Sequence, residues 1–489
     1  MPAIAFDNSY ARLPERFYAR LDAQKSPKPQ LIGINIPLAE SLGLDPDWLQ
    51  TDEGIAMLSG NRFPEGAASL AQAYAGHQFG NWVPQLGDGR ALMIGEVVDQ
   101  NGNRHDIQLK GSGRTPYSRS GDGRAALGPA LREYVMSEAM HALGVPTTRA
   151  LAVLSTGETV LREAPLPGGI VVRVATSHIR VGTFQYFYAR EDGEALQLLI
   201  DHALERHYSD RAGQGAKGLL EGVIERQARL IAHWLHIGFI HGVMNTDNMT
   251  ISGETIDYGP CAFLDEYDPE KVFSSIDQFG RYAYGNQPGI GHWNLGNFAQ
   301  TLLPFLADDL DKAVEVAKST LEDYLPRFTQ AYESGLCAKI GFADHQKEDV
   351  ALAQDLLKTM ASQRADFTRT MRALSSLSRE ETDADKLFLA EFEQPSAVAM
   401  WLLAWRQRLA REKPDDGARQ SAMKQINPMI IARNHRVERV IEAGYAGDFQ
   451  PFHEMVSSLQ DPYSDRSVDD FFVLAPQLNE RVKATFCGT

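Results

Sequence analysis

Between His241 and Gly259 the chain carries Asn248 and Asp257, one on either side of a short Ser252-Gly-Glu254 turn. Both present oxygen atoms, the ligands that hard divalent cations such as Mg²⁺ and Mn²⁺ take. Such cations are held by one or two protein groups together with substrate phosphates, because a triphosphate's charge must be neutralised where transfer occurs. Asp247, beside Asn248, adds a further carboxylate. The chemistry this segment suits is therefore metal-assisted transfer from a nucleoside triphosphate.

The spacing sharpens that reading. In the protein-kinase catalytic loop, His-Arg-Asp is followed after four residues by Asn, and an Asp-Phe-Gly comes later. Here His241 and Asn248 fit the His and Asn, and Asp257-Tyr-Gly259 stands where Asp-Phe-Gly would. The position of the catalytic Asp is Val243, so Asp247 is a carboxylate displaced from its usual place. Taken alone, the segment also fits a plain turn with two solvated aspartates. Upstream residues weigh against that. A kinase-type site needs a strand lysine on the phosphates, tethered by a glutamate from the next helix, and Lys110 and Glu133 occur in that order. Gly87-Asp-Gly89-Arg90 forms a turn in which backbone could approach phosphate closely. Arg173 and Arg180 are further cations, although a strand arginine more often lies on a sheet face than on a ligand.

The elements that must position these residues are legible from periodicity. Ala91–Val98 and His105–Lys110 read as two strands joined at Asn101-Gly102, a tight-turn signal. Alternation puts Ile107 and Leu109 on one face of the second strand and Asp106, Gln108 and Lys110 on the other. A polar, glycine-rich loop (Gly111–Arg124) leads into a helix whose stripe includes Leu127, Leu131, Val135 and Ala139, with Gly144 and Pro146 as its stop. Strands are expected at Ala150–Leu154, Thr159–Arg162 and Ile170–Ala175. Leu219–His236 reads as a helix, Asp210–Gly218 as a surface loop and Met249–Ile256 as a compact hairpin. Residues 1–75 show no clear architecture, and beyond about residue 330 the chain reads as helices with Trp401 and Trp405 in their core.

The chain has 489 residues, 43% hydrophobic and 23% charged, so two to four globular units of roughly 100–200 residues are expected. Its formal net charge is −16, which repels phosphate backbones and argues against broad nucleic-acid binding. Cys261, Cys337 and Cys487 are too few for a disulfide framework and too scattered for a zinc site. With no signal peptide and no apolar run of bilayer length, a cytoplasmic protein with no membrane attachment is expected. The expected fold class is α+β. Its divisions are an N-terminal extension (1–75), a kinase-like small lobe of strands with one key helix (76–190), a mainly helical large lobe (191–330) and a helical C-terminal extension (331–489).

Several long runs resemble one family. Ala75-Gly-His-Gln-Phe-Gly80, Gln85-Leu-Gly-Asp-Gly-Arg90, Leu109–Arg119, Gly121-Asp-Gly-Arg124, Pro146-Thr-Thr-Arg-Ala150, His241–Met249 and Asp257-Tyr-Gly-Pro260 are similar to the selenoprotein O family. Cys487 stands third from the end, where animal members carry selenocysteine. The resemblance implies a pseudokinase fold that binds ATP in a flipped orientation. It transfers AMP, not phosphate, to Ser, Thr or Tyr hydroxyls of protein substrates, redox-related proteins among them. By the same resemblance, Lys110 and Glu133 form the bridging ion pair, and Gly87, Gly89, Arg90, Lys110, Asp122, Gly123, Arg173, Arg180 and Asp257 hold the nucleotide. Asp247 is the proton acceptor, and Asn248 and Asp257 bind Mg²⁺ or Mn²⁺. Cys487 would be a candidate redox partner of Cys261.

Three other readings stay open on the sequence alone. Val243 also fits a non-catalytic, nucleotide-binding scaffold, although a scaffold has no need of a complete metal site. A kinase using Asp247 as base would transfer the γ-phosphate. UMP transfer from UTP with Mn²⁺ is a close variant, since a phosphate-and-metal site barely reads the base.

Overall fold

The computed structural model describes residues 4–342, 344–412 and 415–486. One antiparallel sheet organises the first part of the chain. Its strands are β1 (Tyr18–Arg20), β2 (Gln30–Ile34), β3 (Leu70–Gln72), β6 (Ala91–Val98), β7 (Arg104–Lys110), β9 (Arg149–Leu161) and β10 (Pro165–Ala175). They lie in the order β1-β3-β6-β7-β10-β9-β2, and β8 (Ala125–Ala126) pairs with β10. A separate two-stranded hairpin, β4 (Gly76–Gln78) with β5 (Asn81–Val83), stands off the sheet.

Register decides which chemistry faces which way. In β7, Leu109 lies opposite Leu92 and Val172, and Gln108 opposite Met93 and Arg173. Ile107, Leu109, Val172 and Val174 therefore share one face. They bury there against Leu38, Leu42 and Leu58, from the short helices α1 (Ile36–Ser41) and α3 (Asp52–Leu58) and the residue that ends α1. Burying each large aliphatic side chain is worth about 1.5–3 kcal/mol. A one-residue slip in β7 would turn Ile107 and Leu109 outward, so the strand's apolar face locks its polar face in place. Asp106, Gln108, Lys110 and Arg173 lie on that polar face, as the alternation predicts.

Against it packs the helix α4 (Leu127–Ala142), which touches both β9 and β10. Leu131, Val135 and Ala139 join the main core. Gly144, at φ 78°, turns the chain out of the helix without the steric cost a side chain would bring. Then come α5 (Val181–Tyr188), α6 (Gly193–His207), α7 (Gly215–His236) and α8 (Gln287–Leu302). The helices α9–α17 follow between residues 310 and 459. Trp401 and Trp405 stack with ring centroids 6.2 Å apart, and Trp405 is fully buried, as expected of core residues.

Four local expectations change. The strand candidates at 150–154 and 159–162 are one strand, β9, because Gly157 at φ 73° carries the chain through what reads as a break. Residues 18–72 supply three strands of the sheet, too short and aperiodic to signal themselves. The polar run at 210–218 is a 3₁₀ turn over Ser209–Gln214 followed by the start of α7. Met249–Ile256 does not pair with itself as a ladder: Thr250 bridges to Arg180 and Thr255 to Thr147. Among the described residues no helix is long and apolar enough to cross a membrane. Cys261 and Cys337 are buried, and Cys487 lies outside the described residues.

Candidate active site

A cleft of about 930 Å³ opens between the polar face of the sheet and the 243–260 segment. That is within the range of small-molecule sites, roughly 300–1,000 Å³. Its walls include Gly87, Gly89, Arg90, Lys110, Asp122, Gly123, Arg173, Arg180, Asp247, Asn248 and Asp257. Eleven of the twelve residues singled out in the sequence thus meet in one cavity. The twelfth, Glu133, stands behind the wall.

Asp257 is the hub. Its Oδ1 accepts from Lys110 Nζ at 2.9 Å and from the Arg173 guanidinium at 2.6 Å, and its Oδ2 accepts from Arg180 at 3.0 Å. Glu133 closes the circuit from α4, with Oε2 2.6 Å from Lys110 Nζ and Oε1 2.8 Å from Arg173 Nε. Burial alone would push the Asp257 carboxyl up, but Arg173, Lys110 and Arg180 overrule it and hold it well below the ordinary carboxylate range. The same balance, with Arg173 and Lys110 against burial, lowers Glu133. Two buried carboxylates, Glu133 and Asp257, thus bridge three buried or nearly buried cations, and a third carboxylate, Asp88, lies 3.9 Å from Arg180. Lysine and arginine donors gathered at one wall of a cleft are groups that polyphosphate accepts hydrogen bonds from.

Asp257 also sits at φ 61°, in the left-handed region that side chains rarely occupy. Aspartate tolerates that region better than most residues. The backbone is held there by flanking contacts: His241 Nε2 lies 2.8 Å from the Ile256 carbonyl, and the buried Tyr258 hydroxyl pairs with Thr147. The Gly87 turn has a steric reason of its own. At φ 118°, a Cβ there would come within 2.4 Å of the Tyr117 ring.

Asn248 donates its amide N–H to the Val243 carbonyl at 3.0 Å, which leaves its side-chain oxygen as the available acceptor. Val243, the residue in place of a catalytic Asp, is buried at the cleft wall. Asp247 is buried as well, and burial pushes its carboxyl up to about 6 despite a hydrogen bond from Gln78 and the nearby Arg180. Among the described residues no group of three or more His, Cys, Asp or Glu is arranged to hold a metal ion. The oxygens of Asn248 and Asp257 nevertheless fit the hard-cation pattern of few protein ligands completed by phosphate. Asp122 and Gly123 line the outer end, where Asp122 pairs with Arg162 at 2.9 Å.

Three contributors are absent from the twelve. Asp88 is buried between the glycines of the Gly87 turn; its Oδ2 accepts from the Gln72 N–H at 2.9 Å and from Gln108 at 3.3 Å. Tyr74 lies under the Arg180 guanidinium, 4.6 Å from its ring centre. Gln78 reaches Asp247 from the β4–β5 hairpin. For Asp88 a signal existed, an acidic residue between two glycines just ahead of a strand. For the other two, only the folded chain brings the partners together.

The family described as "Protein adenylyltransferase SelO" matches residues 1–460. The chain is 56% identical over 487 residues to "Protein nucleotidyltransferase YdiU" of Rhodopseudomonas palustris (strain BisB5), covering 99% of each chain. It is 55% identical over 490 residues to the protein of that name from Rhizobium etli (strain CIAT 652), covering 100% of this chain and 98% of the relative. A Bradyrhizobium protein (strain BTAi1 / ATCC BAA-1182) with the same name is 55% identical over 487 residues. Similarity of this extent makes the chain an enzyme of the nucleotidyltransferase class. It belongs to the SelO family.

Proposed function

We propose that this enzyme transfers AMP from ATP to Ser, Thr or Tyr hydroxyls of protein substrates and releases pyrophosphate. The acceptor oxygen bonds to the α-phosphorus, the bond from that phosphorus to the α–β bridging oxygen breaks, and the hydroxyl proton passes to the Asp247 carboxylate. The observation that carries this reading is the convergence of Lys110, Arg173 and Arg180 at the buried end of the cleft. Charge buried there favours a triphosphate lying with its β- and γ-phosphates inward, the flipped orientation, and stabilises the departing pyrophosphate. Lys110 and Arg173 are held by Glu133, so they need not reorganise when charge develops. Asp247, raised by burial, is matched to taking a proton near neutrality.

Gly87, Gly89 and Arg90 would border the nucleotide on one side, and Asp122 and Gly123 on the other. Asn248 and Asp257 would hold Mg²⁺ or Mn²⁺, which when bound neutralises phosphate charge. The fold that serves this is read as a kinase-like pair of lobes, the sheet with α4 forming the small lobe and α5–α8 the large one. Residues 1–75 share in the small lobe by giving its sheet β1, β2 and β3, residues 331–489 form a helical extension, and a cytoplasmic setting suits the chemistry.

Product analysis tests the reading. With ATP, Mg²⁺ and a hydroxyl-rich acceptor protein, pyrophosphate should appear in step with adenylyl adducts on the acceptor. Asp257→Ala should abolish both. ADP released in step with phosphoryl adducts would refute the reading.

A further inference from the structure

We propose that the β4–β5 hairpin positions Asp247, with the Gln78 amide as the group that orients its carboxylate. The inference rests on the reading of Asp247 as proton acceptor, and it names what aims that acceptor.

Three consecutive residues of the hairpin hold three consecutive residues of the loop. The His77 N–H donates to Thr246 Oγ1 at 2.7 Å, Gln78 Nε2 to Asp247 Oδ2 at 3.1 Å, and the Phe79 N–H to Asn245 Oδ1 at 3.0 Å. Asn245 is held from the other side by the buried Tyr282 hydroxyl at 2.6 Å. The loop cannot slide along the hairpin without breaking all of these at once.

Close approach is built into the small residues. A Cβ at Gly76 would lie 2.9 Å from Asp247 Oδ1 and 3.0 Å from Thr246 Oγ1. On the opposite flank, a Cβ at Gly182 would strike the Ala75 carbonyl at 2.2 Å. The Ala75 N–H instead bonds the Gly182 carbonyl at 3.0 Å, seating the strand against the start of α5. The chain is thus threaded between α5 and the loop with no space to spare.

Of the Asp247 oxygens, Oδ1 is buried and has no hydrogen-bond partner among the described residues. Gln78 therefore fixes one oxygen and, through it, the plane of the carboxylate. The hairpin also carries Phe79 at φ 52° and Gly80 at φ 83°, the tight turn that brings Gln78 and the Phe79 N–H round to the same loop. Side-chain rotation at Asp247 would otherwise be limited only by packing. A base must lie within hydrogen-bond reach of the proton it takes, and a misplacement of about 1 Å costs on the order of a hundredfold.

The test is the full-length enzyme carrying Gln78→Met, which keeps length and volume and removes the donor, beside Asp247→Asn. Steady-state transfer, ATP affinity by calorimetry and thermal unfolding are measured on each. The expected result is an inactive Asp247→Asn and a Gln78→Met whose kcat falls by about tenfold to a hundredfold. Its ATP affinity should stay within about twofold and its melting temperature within a few degrees. An active Asp247→Asn overturns the reading of Asp247 and the inference with it. An inactive Asp247→Asn beside a Gln78→Met of wild-type kcat overturns the inference alone. A Gln78→Met that loses ATP affinity and thermal stability together with kcat also overturns it, because Gln78 would then be holding the fold. Gln78→Leu, judged by the same three readings, decides the matter if the Met variant does not fold.

Discussion

Replacing Asp88 with Asn should change how stability depends on pH, and the size of the change follows from its surroundings. Burial holds the Asp88 carboxyl up at about 6, against an ordinary 3.8, with Arg180 pulling the other way. A carboxyl raised on folding binds its proton more tightly in the folded state. Its contribution is therefore most favourable at low pH and is lost as pH rises from about 4 to about 6. At about 1.4 kcal/mol per tenfold change in proton affinity, the ionised group costs the folded state about 3 kcal/mol at pH 8. At pH 4.5 the cost is about 1 kcal/mol, so about 2 kcal/mol separates the two conditions. In Asp88→Asn the side-chain oxygen still accepts both bonds, because Gln72 and Gln108 both donate to Oδ2. The new amide nitrogen replaces Oδ1, which has no hydrogen-bond partner and lies 3.9 Å from Arg180. An unpaired donor there costs about 1–3 kcal/mol at every pH. Urea unfolding of both proteins at pH 4.5 and pH 8 should show the variant gaining about 2 kcal/mol on wild type between the two. A difference that does not move with pH, or that moves the other way, would refute the argument that Asp88 is ionised at a cost.

Glu133→Gln leaves Lys110 and Arg173 with Asp257 as their remaining carboxylate, so stability should fall by about 3 kcal/mol and transfer by about a hundredfold, read by thermal unfolding and initial rates. Gly87→Ala would place a methyl against the Tyr117 ring in a left-handed turn, and calorimetry should show ATP binding weakened by about tenfold. Val243→Asp restores the carboxylate position of a kinase loop. With the cations still converging on Asp257, it should produce no transfer of the γ-phosphate, and phosphoryl adducts in mass spectra would contradict that.

The site was legible wherever local periodicity fixes direction. Ile107 and Leu109 declare one face of β7 apolar, so Lys110 had to lie on the other, and the stripe through Leu131 and Val135 put Glu133 on the helix that meets it. Arg173 and Arg180 stood out from the residues only as further cations, and their place beside a nucleotide came from the family resemblance, whereas Asn248 and Asp257 followed from spacing. What stayed hidden depends on contacts between distant segments. Gln78 has no pattern of its own and gains its role only because Gly76 and Gly182 let the hairpin press against residues 245–247. β1 is three residues long and is a strand because Tyr18 finds Gln72. Gly157 reads as a break and is passed through by a positive φ, which turned one long strand into two expected ones.

The central claim is that the α-phosphate, not the γ-phosphate, is delivered to protein. The most direct measurement incubates the purified enzyme with Mg²⁺, an acceptor protein and ATP labelled with ³²P at either the α or the γ position, with Asp257→Ala alongside. Label on protein from α-labelled ATP alone, absent from the Asp257→Ala reaction, is the predicted result; label from γ-labelled ATP alone would contradict it.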